Sequence, residues 1–362
     1  MSVIYAIGSN GSGQLGIGHK EDVSVPKPAL FNGISLDEVI QVKGGGNHTL
    51  LRSSGALYCS GDTSSGACGI TSDPAYSDSR FRKIALGLED FASNQSSIRL
   101  CDTSWECSIL VQEDEDGKAT KVYSFGTGNK GELGLGGFIF KSAKAQLIKD
   151  FPPAGLEVVG LAASVSHVVA VLSNGDVYGW GNGRKGQLGE PEGIVYSPRK
   201  IKEVNFKVVR AVCGREFTYL LGEPRAGEHT ILGSDKWNVR SSAPPAVPGW
   251  KDVGASWGSI FVLQDNGKLL AWGRDDHGQL PTPGMPSFLQ IAIGSEHALG
   301  LTTDQEVLAW GWGEHGNCGP NTTNGDVKGR WNVIASSKYL PPGSKISRIG
   351  AGCATSWVCI TD

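Results

Sequence analysis

The chain is 362 residues long and nearly balanced in charge, with 33 basic against 36 acidic side chains. That balance excludes a broad basic face for nucleic acid or an anionic membrane, and the longest apolar region, Val158 to Leu172, is interrupted by Gly160, Ser164, Ser166 and His167, which excludes a membrane-spanning helix there. Glycine stands out at 52 residues, about twice the usual share of roughly 7%, without collagen's third-residue period, and so points to many tight turns.

The first predicted element is a strand, Val3 to Ile7, followed by Gly8-Ser-Asn-Gly-Ser-Gly-Gln-Leu-Gly-Ile-Gly18, where Gly11, Gly13 and Gly16 spell GxGxxG. A dinucleotide site needs such a turn to open a helix, with an acidic residue about 20 positions later. The chain continues instead as His19-Lys-Glu-Asp-Val-Ser-Val-Pro-Lys-Pro28, whose two prolines and missing 3.6-residue apolar period argue against a helix. No nicotinamide or flavin cofactor is therefore expected.

The next segment, Val39 to Tyr58, reads as strand, glycine turn, strand, hairpin turn, strand, and runs into a second copy of the opening element, Leu57-Tyr-Cys-Ser-Gly-Asp-Thr-Ser-Ser-Gly-Ala-Cys-Gly69. Thr71 to Ser97 is either a binding insertion or a long connection. A much altered strand segment, Ile98 to Tyr123, leads to Val122-Tyr-Ser-Phe-Gly-Thr-Gly-Asn-Lys-Gly-Glu-Leu-Gly134, and Val158 to Tyr178 leads to Val177-Tyr-Gly-Trp-Gly-Asn-Gly-Arg-Lys-Gly-Gln-Leu-Gly189. Val208 to Leu232 precedes a degenerate copy, Thr230-Ile-Leu-Gly-Ser-Asp-Lys-Trp-Asn-Val239. Val253 to Leu270 and Ile291 to Leu308 precede two more, Leu269 to Leu280 and Val307 to Gly319. Asn174-Gly175 and Asn266-Gly267 supply hairpin dipeptides. Asn317 to Pro342, with Trp331 and Tyr339, is again an insertion or a connection, and Ile346 to Asp362 stops after its second strand.

Repetition explains the glycines more simply than a cofactor does, because Gly reaches positive φ at little steric cost and tight connections recruit it each time. The first loop glycines fall at 8, 61, 126, 181, 233, 273 and 311, spacings that suit four strands per repeat. The chain starts on a strand that elsewhere ends a hairpin and stops on one that begins it. The expected fold is therefore all-β, a seven-bladed β-propeller forming a single domain over residues 1–362, its ring closed by pairing the N- and C-terminal strands.

The Tyr-x-x-Gly-(x)4-Gly-Gln-Leu-Gly loop, together with Gly-x-x-His-Thr-Leu-Leu, resembles the repeat of the regulator-of-chromosome-condensation family. Tyr5 to Asp22 and Gly44-Gly-Gly-Asn-His-Thr49 are similar to the fungal alpha-tubulin suppressor, or killer-toxin-insensitivity, group within it. That resemblance implies a non-catalytic subunit, cytoplasmic or also nuclear. It would form a heterodimer with a small zinc- or iron-binding protein of the diphthamide-synthesis type. The pair would support Elongator-dependent tRNA wobble-uridine modification and the first step of diphthamide formation on elongation factor two, with no direct contact to nucleic acid or membrane. The alternative is guanine-nucleotide exchange on a small GTPase, the activity of the wider family's best-known member; entry into the first strand at Val3 argues against a basic tail for chromatin docking, not against exchange.

Trp237, flanked by Asp235, Lys236 and Arg240 in the degenerate loop, is the expected partner anchor, since Trp and Arg dominate interface hot spots. Packing between blades is the competing reading. Trp105 and Trp257, in turns where sister copies carry small or polar residues, and Trp312, which interrupts a glycine pair, are weaker partner-binding candidates. Trp180, Trp272 and Trp310 share a strand register and read as core. His48, His167 and His297 recur at one repeat position in different blades, too far apart for shared coordination at about 2 Å per bond, and are expected to hydrogen-bond neighbouring loop backbone. Their column, with Asn47, Glu216, Trp257 and Glu296, is expected at one mouth of the channel. The eight cysteines contain no CxxC pair and read as reduced and buried, so no metal is expected. With no Gly-x-Ser-x-Gly or HExxH motif, and with Asp275-Asp276 and Glu113 to Asp116 in apparent solvated turns, no enzyme is expected.

Overall fold

In the computed structural model, residues 2–31, 36, 38–54, 56–69, 79–84 and 98–361 are described. The first strand, β1 (Ser2–Gly8), lies between β2 (Val23–Pro28) and the last strand of the chain, in one sheet. Its register with that last strand is continuous, Ser2 opposite Thr361 through Gly8 opposite Thr355, so the two ends close the ring as the terminal half-repeats require.

The remaining sheets are arranged in chain order. The first blade is β3 (Val39–Gly44), β4 (His48–Ser53), β5 (Leu57–Gly61) and β6 (Arg82–Lys83). The second is β7 (Ile98–Thr103), β8 (Cys107–Glu113), β9 (Ala119–Thr127) and β10 (Lys141–Leu147), and the third β11 (Val158–Ala163), β12 (His167–Leu172), β13 (Val177–Gly183) and β14 (Gly193–Ile201). The fourth has β15 (Arg210–Cys213), β16 (Phe217–Leu221) and β17 (His229–Gly233), and the fifth β18 (Trp250–Ala255), β19 (Ser259–Gln264) and β20 (Leu269–Gly273). The sixth is β21 (Phe288–Ile293), β22 (His297–Thr302), β23 (Glu306–Trp312) and β24 (Asp326–Ser336); β25 (Lys345–Ala351) and β26 (Thr355–Thr361) join β1 and β2 in the seventh. Asn317 to Pro342 thus supplies an outer strand and its return, while most of Thr71 to Ser97 lies outside the described residues.

Four strands per repeat is corrected in the fourth and fifth blades, which have three each. Where an outer strand would run, the chain reads Ser241-Ser-Ala-Pro-Pro-Ala-Val-Pro248 and Leu280-Pro-Thr-Pro-Gly-Met-Pro-Ser287. Proline has no N–H to give to a ladder, so these segments cannot form the pairing.

Six of the seven seams between blades use two alternative clasps on the same acceptor, the carbonyl six residues after the loop's first glycine; in the seventh, the Ser60 hydroxyl donates instead to the Gly13 carbonyl at 2.6 Å. In three seams a tryptophan of the next blade donates its indole N–H: Trp180 to Glu132 (2.9 Å), Trp272 to Val239 (2.7 Å) and Trp310 to Gln279 (2.8 Å). In three others a hydroxyl of the next blade donates to it: Ser108 to Ala67, Thr218 to Gln187 and Ser356 to Asn317, each at 2.7 Å. Behind those hydroxyls stand His48, His167 and His297, whose Nε2 lies 3.1, 3.0 and 2.9 Å away. Each hydroxyl has spent its proton on the carbonyl, so it accepts from Nε2–H, which fixes the tautomer. Where the indole is used, Val168, Ile260 and Ala298 occupy the hydroxyl position and Cys107, Phe217 and Ser259 the histidine position. The expected histidine contact to loop backbone is therefore corrected: it runs through an intervening hydroxyl. Trp180, Trp272 and Trp310 are buried, in line with their reading as core.

The expectation of eight reduced thiols is also corrected. Cys59 and Cys68 are joined as a disulfide across a Cα separation of 5.4 Å, while Cys101, Cys107, Cys213, Cys318, Cys353 and Cys359 are free. The spacing of Cys59 and Cys68 matches no metal motif, but the strand and its returning loop bring them together.

Candidate partner-binding face

Successive strands of each blade are antiparallel, so the turn between the first and second strands and the loop after the third emerge on the same face. Trp105 and Trp257 lie in turns of the first kind, Trp237 and Trp312 at the start of loops of the second. All four tryptophans proposed from the sequence therefore share one face of the ring.

Trp237 comes after β17 in a single 3₁₀ turn, Lys236–Asn238. Asn238, at φ 58°, takes the position that sister loops give to Gly13, Gly131, Gly186 and Gly278, all at positive φ. Asn238 thus replaces the turn glycine, which suits Asn, the side chain best tolerated there after Gly. Trp237, one residue earlier, also has positive φ (66°), which is unusual for a bulky side chain and signals a strained position. Asp235 shapes the turn, its Oδ1 accepting the N–H groups of Arg240 (2.7 Å) and Ser241 (3.1 Å), and those backbone bonds lower its pKa.

The Trp237 indole is 41% exposed and has the Arg274 guanidinium 4.8 Å from its centre and the Lys236 ammonium 5.5 Å away. Arg274 is held in place by Asp276, through Nε at 2.7 Å and Nη2 at 2.8 Å, and by Glu296. Gln279 closes the network, donating to Glu296 (2.9 Å) and Asp276 (3.0 Å). Burial raises the Glu296 pKa against the opposing pull of Gln279 and Arg274. For Asp276 partial burial works the other way from its hydrogen bonds and the Arg274 charge, which win and hold the carboxyl at about 2. Solvation alone therefore does not account for Asp276.

Beside this network is a depression of about 270 Å³ bounded by Arg215, Glu216, Trp237, Trp257, Arg274 and Glu296. Arg240, expected beside Trp237, does not border it. Arg215 lies 5.3 Å over the Trp257 ring, and the Trp105 ring centre is 6.0 Å from that of Trp257. Trp105 comes from the second blade and Trp257 from the fifth, so the pair bridges the mouth of the central cavity, about 350 Å³, which both line. Backbone bonds between turns fix this rim: Gly46 N–H to Trp105 O, Trp105 N–H to Val165 O, Arg215 N–H to Trp257 O and Trp257 N–H to Ser295 O. Gly46 is required, because a Cβ there would lie 2.6 Å from the Trp105 ring.

The structure thus brings together Trp105, Trp257, Trp237 and Lys236, with Glu216 and Glu296 of the expected mouth column. Asn47 is exposed in its own turn but does not border the depression. Trp312 stands apart, stacked on His277 at 5.7 Å and edge-on to His315 at 5.9 Å; those histidines bond Asp326 (2.9 Å) and Asp22 (2.8 Å). Sequence reasoning missed Arg215 and Arg274. Arg215 occupies the same turn position as Trp105 and Trp257, and Arg274 comes directly after a third-strand glycine where sister copies have Ser9, Thr127 and Asn182, so both were legible by the rule that singled out the tryptophans. Among the described residues no group of three or more His, Cys, Asp or Glu is arranged to hold a metal, and no helix is long and apolar enough to cross a membrane.

Comparison with known proteins agrees with the propeller fold. The regulator of chromosome condensation (RCC1) repeat matches residues 3–51 and 174–221, and a second form of it residues 158–187 and 288–317. An RCC1 repeat-containing protein of Schizosaccharomyces pombe is 30% identical over 99% of both chains. The chain belongs to the RCC1-repeat family. This RCC1-repeat chain is also 26% identical to the mouse secretion-regulating guanine nucleotide exchange factor, over 98% of its own length and 83% of that protein's. In fold it is similar to Prp20p of Saccharomyces cerevisiae, at TM-score 0.82 and 19% identity over 100% of this chain and 92% of that one. Human WBSCR16 gives TM-score 0.80 and 15% identity, covering 100% and 99%. An RCC1-type propeller fits a protein-interaction scaffold.

Proposed function

We propose that this RCC1-repeat propeller is a non-catalytic scaffold. Its tryptophan-bearing face receives a small metal-carrying protein of the diphthamide-synthesis type, in support of Elongator-dependent tRNA wobble-uridine modification and diphthamide formation. The observation that carries the docking part is Trp237: a bulky residue held at φ 66° with its indole 41% exposed, where burial would have been the ordinary fate of so much apolar surface. An exposed aromatic beside Arg215, Arg274 and Trp257 has the composition of an interface hot spot, and backbone strain retained at such a residue supports a functional role for it. The partner's identity rests on the resemblance of the first sixty residues to the killer-toxin-insensitivity group.

Calorimetry with a purified small diphthamide-type zinc protein tests both parts. Saturable one-to-one binding is expected, and Trp237→Ala should weaken it by about 2 kcal/mol or more, roughly thirtyfold in Kd, with an unchanged melting temperature. A large fall in melting temperature would instead place Trp237 among the packing residues. The second reading, guanine-nucleotide exchange, is favoured by the similarity to the mouse exchange factor. Absence of binding to the zinc protein, with accelerated release of labelled nucleotide from a small GTPase, would establish that reading in place of the first.

A further inference from the structure

We propose that Cys59 and Cys68 form a redox-active pair that locks the seam between the first and second blades. The two positions have counterparts around the ring. Two residues before the loop glycine, where Cys59 stands, five of the six sister blades carry Ala6, Ser124, Gly179, Ala271 and Ala309; seven residues after it, where Cys68 stands, the same five carry Leu15, Leu133, Leu188, Leu280 and Cys318, while the fourth blade departs at both positions, with Ile231 and Arg240. In the third blade the pair is in contact, since a Cβ on Gly179 would lie 2.6 Å from the Leu188 side chain, and in the second the Ser124 hydroxyl donates to the Leu133 carbonyl. A small residue paired with a leucine thus stands at this junction of loop and strand in four of the sister blades, and in the first blade a covalent bond stands there. Cys318 is an internal comparison, since it holds the leucine position opposite Ala309 and is a free thiol.

The loop so held is a bracket between blades. Its Ala67 carbonyl accepts from Ser108, which carries the bond from His48, and its Ser65 carbonyl accepts from Thr127 at 2.8 Å. Gly66 lies against Ala143 of β10, where a Cβ would come within 2.9 Å of the Ala143 backbone. Cys59 and Cys68 belong to the buried cluster shared by these blades, with Leu50, Leu110, Tyr123 and Phe125. Phe125 occupies the indole position and has no N–H, so this seam lacks the tryptophan clasp. Reduced, the pair is a thiol facing a thiol, with less apolar volume than Leu over Ala and no covalent link, and the bracket loosens.

The reaction is ordinary thiol–disulfide exchange with a dithiol reductant. Its thiolate attacks one sulfur, the Cys59–Cys68 bond breaks, and its second thiol resolves the mixed disulfide. Two electrons and two protons pass to the protein, which ends with two thiols, and the reductant ends as its own disulfide.

The experiment is thiol mapping followed by hydrogen exchange on the full chain. Cleavage after Arg52 and Arg80 isolates Cys59 and Cys68 in one peptide. From protein prepared without reductant, this peptide should resist alkylation and weigh two hydrogens less than after dithiothreitol. Reduction should then speed amide exchange across residues 62–69 by at least about tenfold, as expected when a short covalent loop is opened, while residues 182–189 of the third blade are unchanged. Cys59→Ala with Cys68→Leu rebuilds the sister packing and should make exchange in the loop indifferent to dithiothreitol. The wild-type comparison stands whether or not that variant folds. Full alkylation of both cysteines without reductant, or exchange in 62–69 that ignores reduction, would overturn the proposal.

Discussion

Glu132 shows how much one atom matters in this fold. Sister loops place Gln14, Gln187 and Gln279 at its position, and in each the amide oxygen accepts a backbone N–H two residues earlier, from Ser12, Lys185 and His277. Glu132 makes the same bond to Lys130 N–H at 2.6 Å, but with a carboxylate whose pKa burial raises despite the backbone bonds it accepts. A carboxyl that titrates higher in the native state favours the protonated fold, so its contribution is fully present below the ordinary glutamate range and lost as pH rises through the raised value. Glu132→Gln should therefore raise the melting temperature at pH 7 and leave it nearly unchanged at pH 4. Equal effects at both pH values would show that the carboxylate charge is not the cause. Trp237 makes the complementary point: its type was legible in the sequence, while its strained backbone and its cover by Arg274, 37 residues away, required the ring.

At the scale of the element, the clasp between blades is the unit that decides stability. Thr218 ties its own strand β16 to the Gln187 carbonyl and receives His167, so removing its hydroxyl strands two buried groups at once. Thr218→Val should destabilise by about 1–3 kcal/mol, and adding His167→Phe, which borrows the apolar chemistry of the indole seams, should cost less than the sum of the single changes. Chemical denaturation of the four proteins measures this coupling; strict additivity would mean that the two side chains do not act together. The same scale explains the missing outer strands. A repeat length of four strands was readable from glycine spacing, yet the prolines at 244, 245, 248, 281, 283 and 286 override it locally, because the ladder needs donors they lack.

For the whole molecule, three such histidines spread around the ring set the response to acid. Burial lowers the pKa of His48, His167 and His297 to about 4. In the unfolded chain an imidazole takes its proton near pH 6.5, so the stability these residues contribute is fully present above that value and lost progressively as pH falls towards 4. The denaturation midpoint should drop across this window, and His167→Gln, which does not titrate, should shrink the part of the drop due to these three histidines by about a third if the sites act independently. A midpoint that is flat between pH 6.5 and 4.5 would contradict the assignment of neutral, buried imidazoles. No catalytic use of these rings is needed to explain their recurrence.

The repeat, the seven blades and the closing of the ring by its first and last strands were determined by the sequence alone, because they arise from local rules: short apolar strands, glycines where φ must be positive, and two half-repeats that complement each other. Contacts across blades were decided only in the tertiary structure. Gly46 under Trp105, Arg274 over Trp237, Ser108 between His48 and Ala67, and Cys59 bonded to Cys68 all join residues whose meeting depends on how strands register and how one sheet stacks on the next. Each of these pairings is a choice among several side chains at equivalent spacing, and distance in space, which spacing along the chain does not encode, makes the choice.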